Sequence, residues 1–342
     1  MRRHLLVTGG CGFIGSNFVR FVLSQRPDWC VTNLDCLAYS GNRQNLTDVE
    51  SGPAADRYQF VHGDICDRSL VEPLAGRCDA LVHFAAESHV DRSIVDARPF
   101  VQTNVLGTQS LLDVWTATAV RLPAGSPRRF VHISTDEVYG SLPLDRPDLK
   151  FTEQSPIKPS SPYAASKAAS DLLVAACHHT HGLDAVITRC SNNFGPYQYP
   201  EKVIPLFVTN LLEGRKVPLY GDGLNQRDWL HVEDHCQAIL AVLEQGTAGD
   251  MYNIGGDNEQ SNRDLTGAIL RIMGQDESMI QPVADRFGHD RRYAIDATKI
   301  KRELGWEPTR SAWPEALEST VRWYTDQAGW WRPLKNAVPA MG

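Results

Sequence analysis

Leu5-Leu6-Val7-Thr8-Gly9-Gly10-Cys11-Gly12-Phe13-Ile14-Gly15 is the stretch that decides the fold. A short apolar run, 5–8, enters a turn containing Gly9, Gly12 and Gly15, and the turn opens a helical pattern over 13–24. A second apolar run, 30–34, ends at Asp35, twenty residues after Gly15. Strand, glycine turn, helix, strand and acid is how a chain presents backbone N–H groups to a pyrophosphate. One glycine makes the tight turn, one lets the backbone approach the phosphates, and one lets helix and strand pack closely. Asp35 is then placed to hold a ribose diol, which favours NAD over NADP.

Working outward, further strand-like runs fall at 58–62, 80–84, 130–134 and 185–189, alternating with helical patterns such as 100–119 and 163–180. This alternation predicts an α/β fold, a Rossmann-type doubly wound parallel sheet covered by helices on both faces. Ligands of such sheets bind beyond the carboxyl ends of the strands, so the informative residues should follow the strands. After Gly195 the regularity weakens. Pro and Gly punctuate 195–205 and 218–223, and helical patterns return at 232–245, 262–273 and 313–323. The expected division is an NAD-binding domain over 1–190, a smaller α/β substrate domain over 191–332 with the chain free to cross between them, and a frayed tail from Pro333 to 342.

The length of 342 residues allows a substantial core. With 34 basic and 41 acidic residues, a net charge of −7 gives no general attraction to nucleic acid or to acidic membranes. The eight cysteines form no C-x-x-C pair and read as buried thiols of a cytoplasmic protein rather than a disulfide frame. No apolar run approaches a membrane span, and the chain enters its first strand at once, so no targeting segment is expected.

Two constellations carry chemistry. Tyr163 and Lys167 lie four apart on a helix that starts after Ser160-Ser161-Pro162. An ammonium on the same helix face as a phenol lowers the phenol's pKa and makes it a usable base. Ser134-Thr135-Asp136-Glu137 ends the strand 130–134, where this fold does its chemistry. Neighbouring carboxyls can be driven to different pKa values, one serving as acid and the other as base. A reaction that removes a proton and expels a hydroxyl needs such a pair. His178, His179 and His181, and the pair His231 and His235, lack a completing ligand set, so no metal site is expected. Trp313, Trp323, Trp330 and Trp331 are expected to pack the last helices.

TGGCGFIG (8–15), HFAAESHVDRS (83–93), STDEVYG (134–140), YAASK (163–167), CSNNFGPYQ (190–198), PEKVIP (200–205), RDWLHVEDH (227–235) and DRFGHDRRYAID (285–296) together resemble the extended short-chain dehydrogenase/reductase family. Within it they are most similar to the nucleotide-sugar 4,6-dehydratases that act on dTDP-glucose. The resemblance runs from residue 5 to about residue 331. It implies NAD on Gly9, Gly12, Phe13, Ile14 and Gly15, with Asp35 on the adenosine ribose and Asp64 and Ile65 beside the adenine. It places Ala85, Ala86, Ser88, Tyr163, Lys167 and Asn192 along the rest of the cofactor. It implies that His89, Thr135, Asp136, Glu137 and Asn193 surround the sugar. Glu201, Lys202, Pro218, Tyr220, Arg227, Asn262, Arg286 and His289 would hold the nucleotide.

The implied catalytic set is Thr135, Asp136, Glu137, Tyr163 and Lys167, and the implied reaction oxidises C4, eliminates water across C5 and C6, and returns hydride to C6. Cys190, and Phe194 in place of a frequent tyrosine, depart from the family pattern without touching that reaction. The short acidic segment 142–153 departs from the longer insertions of some relatives. The alternatives are a nucleotide-sugar 4-epimerase, which needs no Asp-Glu pair, and a non-catalytic NAD sensor, which need not keep both constellations. The family resemblance also implies a homodimer, formed by a four-helix contact of 100–119 and 163–180.

Overall fold

The computed structural model describes residues 3–119, 128–285 and 289–337. Twelve strands occur among them: β1 (Arg3–Thr8), β2 (Trp29–Asp35), β3 (Tyr58–His62), β4 (Ala80–His83), β5 (Arg129–Thr135), β6 (Ala185–Cys190), β7 (Asn192–Phe194), β8 (Val217–Tyr220), β9 (Gln226–His231), β10 (Met251–Ile254), β11 (Glu259–Ser261) and β12 (Ile280–Val283). Seven build one parallel sheet in the order β10-β6-β5-β4-β1-β2-β3. The order reverses between β1 and β4, and a crevice opens at such a point.

The central strands are mostly buried without alternation because both faces of the sheet are covered, whereas the edge strand β3 has no buried residue. Leu5 and Val7 join one core with Val19, Val82, Val131 and Ile239, whereas Leu6 points the other way, into a core with Leu81, Trp115, Phe130 and Val174. A third core, around Phe194, Phe207, Trp229, Leu317 and Trp331, supports the C-terminal half. Three strands, β11-β9-β7, and the pair β12-β8 form two small sheets there.

The six sequence-derived strands of the first half are all present, with ends moved by at most a few residues. The helical pattern 100–119 is not one α-helix: a π-helical turn, Val101–Gly107, precedes the α-helix Thr108–Ala119. The last helix, Ala328–Ala337, continues through Pro333, where the sequence suggests a frayed end. Its Lys335 is tied to Thr209, Asn210 and Glu213, and Trp330 Nε1 donates to Asn45 Oδ1 across the chain. All eight cysteines are free, but only Cys11, Cys78, Cys190 and Cys236 are buried; Cys36 is exposed. Burial of all eight is therefore corrected. Among the described residues no helix is long and apolar enough to cross a membrane.

Candidate active site

The glycine turn follows β1. Gly9 has φ +72°, and a Cβ there would lie 2.5 Å from Ala85 N, so the turn requires glycine in both conformation and space. A Cβ on Gly15 would collide with the Gly9 carbonyl. Gly12 differs: an added Cβ would meet only Gly9 O, at 3.4 Å, so this position faces open space. Gly12 is also the N-cap of the helix Phe13–Gln25, which has no side-chain cap and no acid in its first turn. An open helix N-terminus reached over a bare backbone fits a pyrophosphate.

Asp35 ends β2 and is buried. Its Oδ2 accepts from Cys11 N at 2.8 Å and its Oδ1 from Leu37 N at 2.8 Å. The acid thus also holds the glycine turn to the loop after β2. Burial raises its pKa, and the two N–H donors oppose that shift. Asp64 follows β3 and accepts from Cys66 N, and Ile65 is buried beside Gly107. Ala85, Ala86 and Ser88 follow β4. That loop is locked by Asn104, a buried residue of the π-helical turn. Asn104 exchanges two bonds with Glu87 (2.8 and 3.0 Å) and donates to Ser166 Oγ at 2.8 Å. Spacing gives no sign of Asn104, because a π-turn has no sequence period of its own.

Tyr163 and Lys167 occupy the first turns of the helix Pro162–His181, capped by Ser161 and entered through Pro162. Both are buried. Lys167 Nζ donates to Ile133 O at 2.8 Å and lies 3.4 Å from His132 Nε2. Burial lowers the lysine pKa to about 8. The phenol does not follow the sequence expectation. Burial first, then Glu137, Cys190 and Asp136, raise the Tyr163 pKa well above its ordinary value. The ammonium faces a carbonyl and an imidazole, while the phenol faces carboxylates, so helical spacing alone does not lower this pKa.

Beneath the lysine lies a buried ionic group that the sequence reading did not find. His132 Nε2 is 3.4 Å from Asp171 Oδ1, and Asp171 Oδ2 accepts from Arg189 Nε at 2.8 Å. Arg189 in turn stands 4.7 Å over the Tyr139 ring. Burial lowers the His132 pKa to about 4, so the imidazole is neutral at physiological pH.

Thr135 ends β5 and caps the short 3₁₀ turn Asp136–Tyr139, accepting from Glu137 N at 3.3 Å. The turn aims adjacent carboxyls differently. Asp136 is buried, and its Oδ2 has no hydrogen-bond partner among the described residues. Burial raises its pKa well above the ordinary value, with Glu137 and Asp228 adding to the shift. A protonated Asp136 is an acid in waiting. Glu137 instead reaches the surface of a cleft of about 550 Å³.

That cleft joins most of the residues the resemblance assigns to substrate. Ser88, His89 and Glu137 line it, as do Asn192, Asn193, Glu201, Lys202, Pro218, Tyr220, Arg227, Asn262 and His289. Arg286 lies outside the described residues. Asn193 lines the cleft with its amide already engaged: Nδ2 donates to Ser191 O, and Oδ1 is 2.9 Å from His235 Nδ1. Asn192 Oδ1, by contrast, is buried without a partner among the described residues. Glu201 lies 3.4 Å from His89 Nε2, and burial raises its pKa to about 7. Arg227 lies 4.3 Å over Tyr293, whose hydroxyl donates to Asp290 Oδ2 at 2.6 Å. Tyr293 and Asp290 line the cleft too, within the quoted stretch 285–296 but outside the expected site set. Asn210, Arg215 and Lys335 also belong to its lining.

A model of the GDP-mannose 4,6 dehydratase family matches residues 6–315. A dTDP-glucose 4,6-dehydratase of Streptomyces niveus is 54% identical over 99% of this chain and 97% of its own length. The chain belongs to the dTDP-glucose 4,6-dehydratase family. A Streptomyces venezuelae member of that family, solved with NAD bound, superposes with a TM-score of 0.90 at 54% identity, covering 97% of this chain and 99% of the other. A UDP-glucose 4-epimerase of Thermotoga maritima shares the fold at TM-score 0.83 but only 28% identity, over 95% of this chain and 99% of the other. The dehydratases are therefore favoured over the epimerase alternative.

Three of the histidines set aside as metal ligands, His178, His231 and His235, have other partners. His178 Nδ1 is 2.7 Å from Leu183 O, and His231 caps the helix Val232–Gln245. Burial lowers the His235 pKa to about 3. A histidine held neutral in the fold stabilises fully above its unfolded pKa of about 6.5 and loses that contribution as pH falls towards the folded value. Asp136 and Glu201, with raised pKa values, act with the opposite sign. The difference between the parent and His235→Asn isolates the histidine. From pH 7 to pH 5 the parent should lose roughly 2 kcal/mol more stability than the variant. Urea titrations at the two pH values check this, and equal losses would contradict it.

Proposed function

We propose that this site dehydrates dTDP-glucose to dTDP-4-keto-6-deoxyglucose, with NAD recycled inside each turnover. The observation that carries this is the pair at the end of β5: a buried Asp136, whose protonated form burial favours, beside a Glu137 that faces the cleft, both near Tyr163. An epimerase needs no such pair. When bound, NAD supplies the hydride acceptor for C4 and the hydride donor for C6, and adds positive charge that favours a phenolate. The glycine turn, Asp35, the 85–88 loop and Asn192 would hold it.

Tyr163 takes the proton of the sugar 4-hydroxyl, with Lys167 one turn further along the same helix. The 4-ketone acidifies the C5 proton, which Glu137 removes. Asp136 protonates the 6-hydroxyl as it leaves. Arg227, Lys202 and His289 supply the donors suited to a diphosphate and its nucleoside. The cofactor half corresponds to 1–190 and the substrate half to 191–332, with β10 returning to the large sheet. The test is mass spectrometry of the purified protein with dTDP-glucose, UDP-glucose and GDP-mannose, without reductant. Loss of one water from dTDP-glucose alone is expected. Conversion to a galactose isomer at unchanged mass would mean epimerisation.

We also propose a homodimer in a reducing cytoplasmic setting. Ile94, Val95, Val101, Leu106 and Leu172 are exposed on adjoining elements around the helix Pro162–His181, and eight free thiols suit a reducing compartment. The double variant Val95→Glu/Leu172→Glu should sediment as monomer at micromolar concentration while the parent sediments as dimer. A monomeric parent would refute the contact.

A further inference from the structure

One turnover leaves two groups in the wrong protonation state for the next. Tyr163 has gained the proton of the 4-hydroxyl. Asp136 has given its own proton to the departing 6-hydroxyl. Glu137 gains a proton from C5 and loses it again once C5 is reprotonated. The finished cycle therefore leaves one proton too many on Tyr163 and one too few on Asp136. This follows from the dehydratase reading above and rests on it.

Thr135 stands between the two. Its hydroxyl donates to Asp136 Oδ1 at 3.4 Å and lies close enough to the Tyr163 phenol to draw that group's pKa down against the effect of burial. Thr135 and Tyr163 are each 9% exposed and Asp136 is 2% exposed, so bulk water reaches the three poorly even before a sugar covers them. The lysine side offers no comparable exit. Lys167 donates to Ile133 O, and its other neighbour, His132, is wholly buried. The neighbouring Cys190 thiol is turned to Ser134 O at 3.5 Å.

We propose that the Thr135 hydroxyl returns the proton from Tyr163 to Asp136 after each turnover. A hydroxyl both accepts and donates, which this transfer requires. The Tyr163 O–H bond breaks as a new Thr135 Oγ–H bond forms. The original Thr135 Oγ–H bond breaks as Asp136 Oδ1–H forms. Thr135 ends as it began, one proton has moved, and no oxidant or reductant takes part.

The test separates the first turnover from later ones. Thr135→Val, preincubated with NAD so that solvent sets both groups, is mixed rapidly with dTDP-glucose. Ketosugar formation is followed by quenching, and tyrosinate by its ultraviolet absorbance. The relay gives a first turnover within about tenfold of the parent and later turnovers slower by about 10²-fold, the lower range of proton-transfer effects. Tyrosinate should vanish in the first turnover and return only in the slow phase. Thr135→Ser should restore parental behaviour. First and later turnovers slowed by one factor, or tyrosinate recovering at the parental rate, would overturn the relay and leave Thr135 an orienting group. Valine also removes the cap on Glu137 N. If that variant does not fold, Thr135→Asn, which keeps a capping acceptor but no hydroxyl, takes the same test. An unaltered protein that releases no water from dTDP-glucose would fail the dehydratase reading itself, a result distinct from either.

Discussion

Glu137→Gln should oxidise dTDP-glucose and then stall. The amide keeps the side chain's shape in the cleft but cannot take the C5 proton. Tyr163 and Lys167 are untouched, so C4 oxidation proceeds and the reduced nicotinamide accumulates on the protein. Loss of water should fall by about 10²–10⁴-fold, the range for removing a positioned base. Rapid mixing followed by nicotinamide absorbance and by mass spectrometry checks both halves. Unimpaired water loss would remove Glu137 from the chemistry. Loss of the absorbance change as well would mean that Glu137 acts before elimination.

The second large effect is on stability. Asp171→Asn should destabilise the fold by about 3–5 kcal/mol, the usual cost of leaving a buried charge without its partner. Arg189 Nε bonds Asp171 Oδ2 at 2.8 Å, with the two side chains 2% and 1% exposed. Burial alone raises the Asp171 pKa, but His132, Arg189 and Lys167 together hold it below the ordinary value. The carboxylate thus serves two buried cations, Lys167 and Arg189. Denaturant midpoints of parent and variant measure the loss at neutral pH. A shift below about 1 kcal/mol, the scale of an exposed pair, would show that water reaches Arg189.

These two residues differ in how far the sequence reveals them. Glu137 is legible because it follows a strand, sits beside Asp136 and falls in a recurring motif. Asp171 lies on the helix after Lys167 and meets His132 and Arg189 only when β5, β6 and that helix pack together. The first six strands are legible mainly because burial on both faces makes most of their residues apolar, the edge strand β3 excepted. β10 is not, because it is four residues long and contains Asn253, whose side-chain Oδ1 accepts from Tyr139 OH at 2.8 Å. The helix Val203–Leu212 hides behind Pro205, which reads as loop punctuation but occupies the first turn, where proline is tolerated. The Tyr163 pKa was misjudged because spacing gives the helix face of Lys167 but not the carbonyl that its ammonium chooses.

The π-helical turn Val101–Gly107 holds Asn104 inward on Glu87 and Ser166 while leaving Val101 and Leu106 at the surface. A π-turn is an α-helix with one residue too many, and each helical residue turns the chain by about 100°. Deleting any single residue there would restore a regular helix and swing Asn104 away from the loop that follows β4. Natural variation in this stretch should therefore hardly touch its length, whatever it does at exposed positions outside the proposed dimer contact. In an alignment of relatives, a one-residue gap at this point would mark a chain whose cofactor loop is held by some other means.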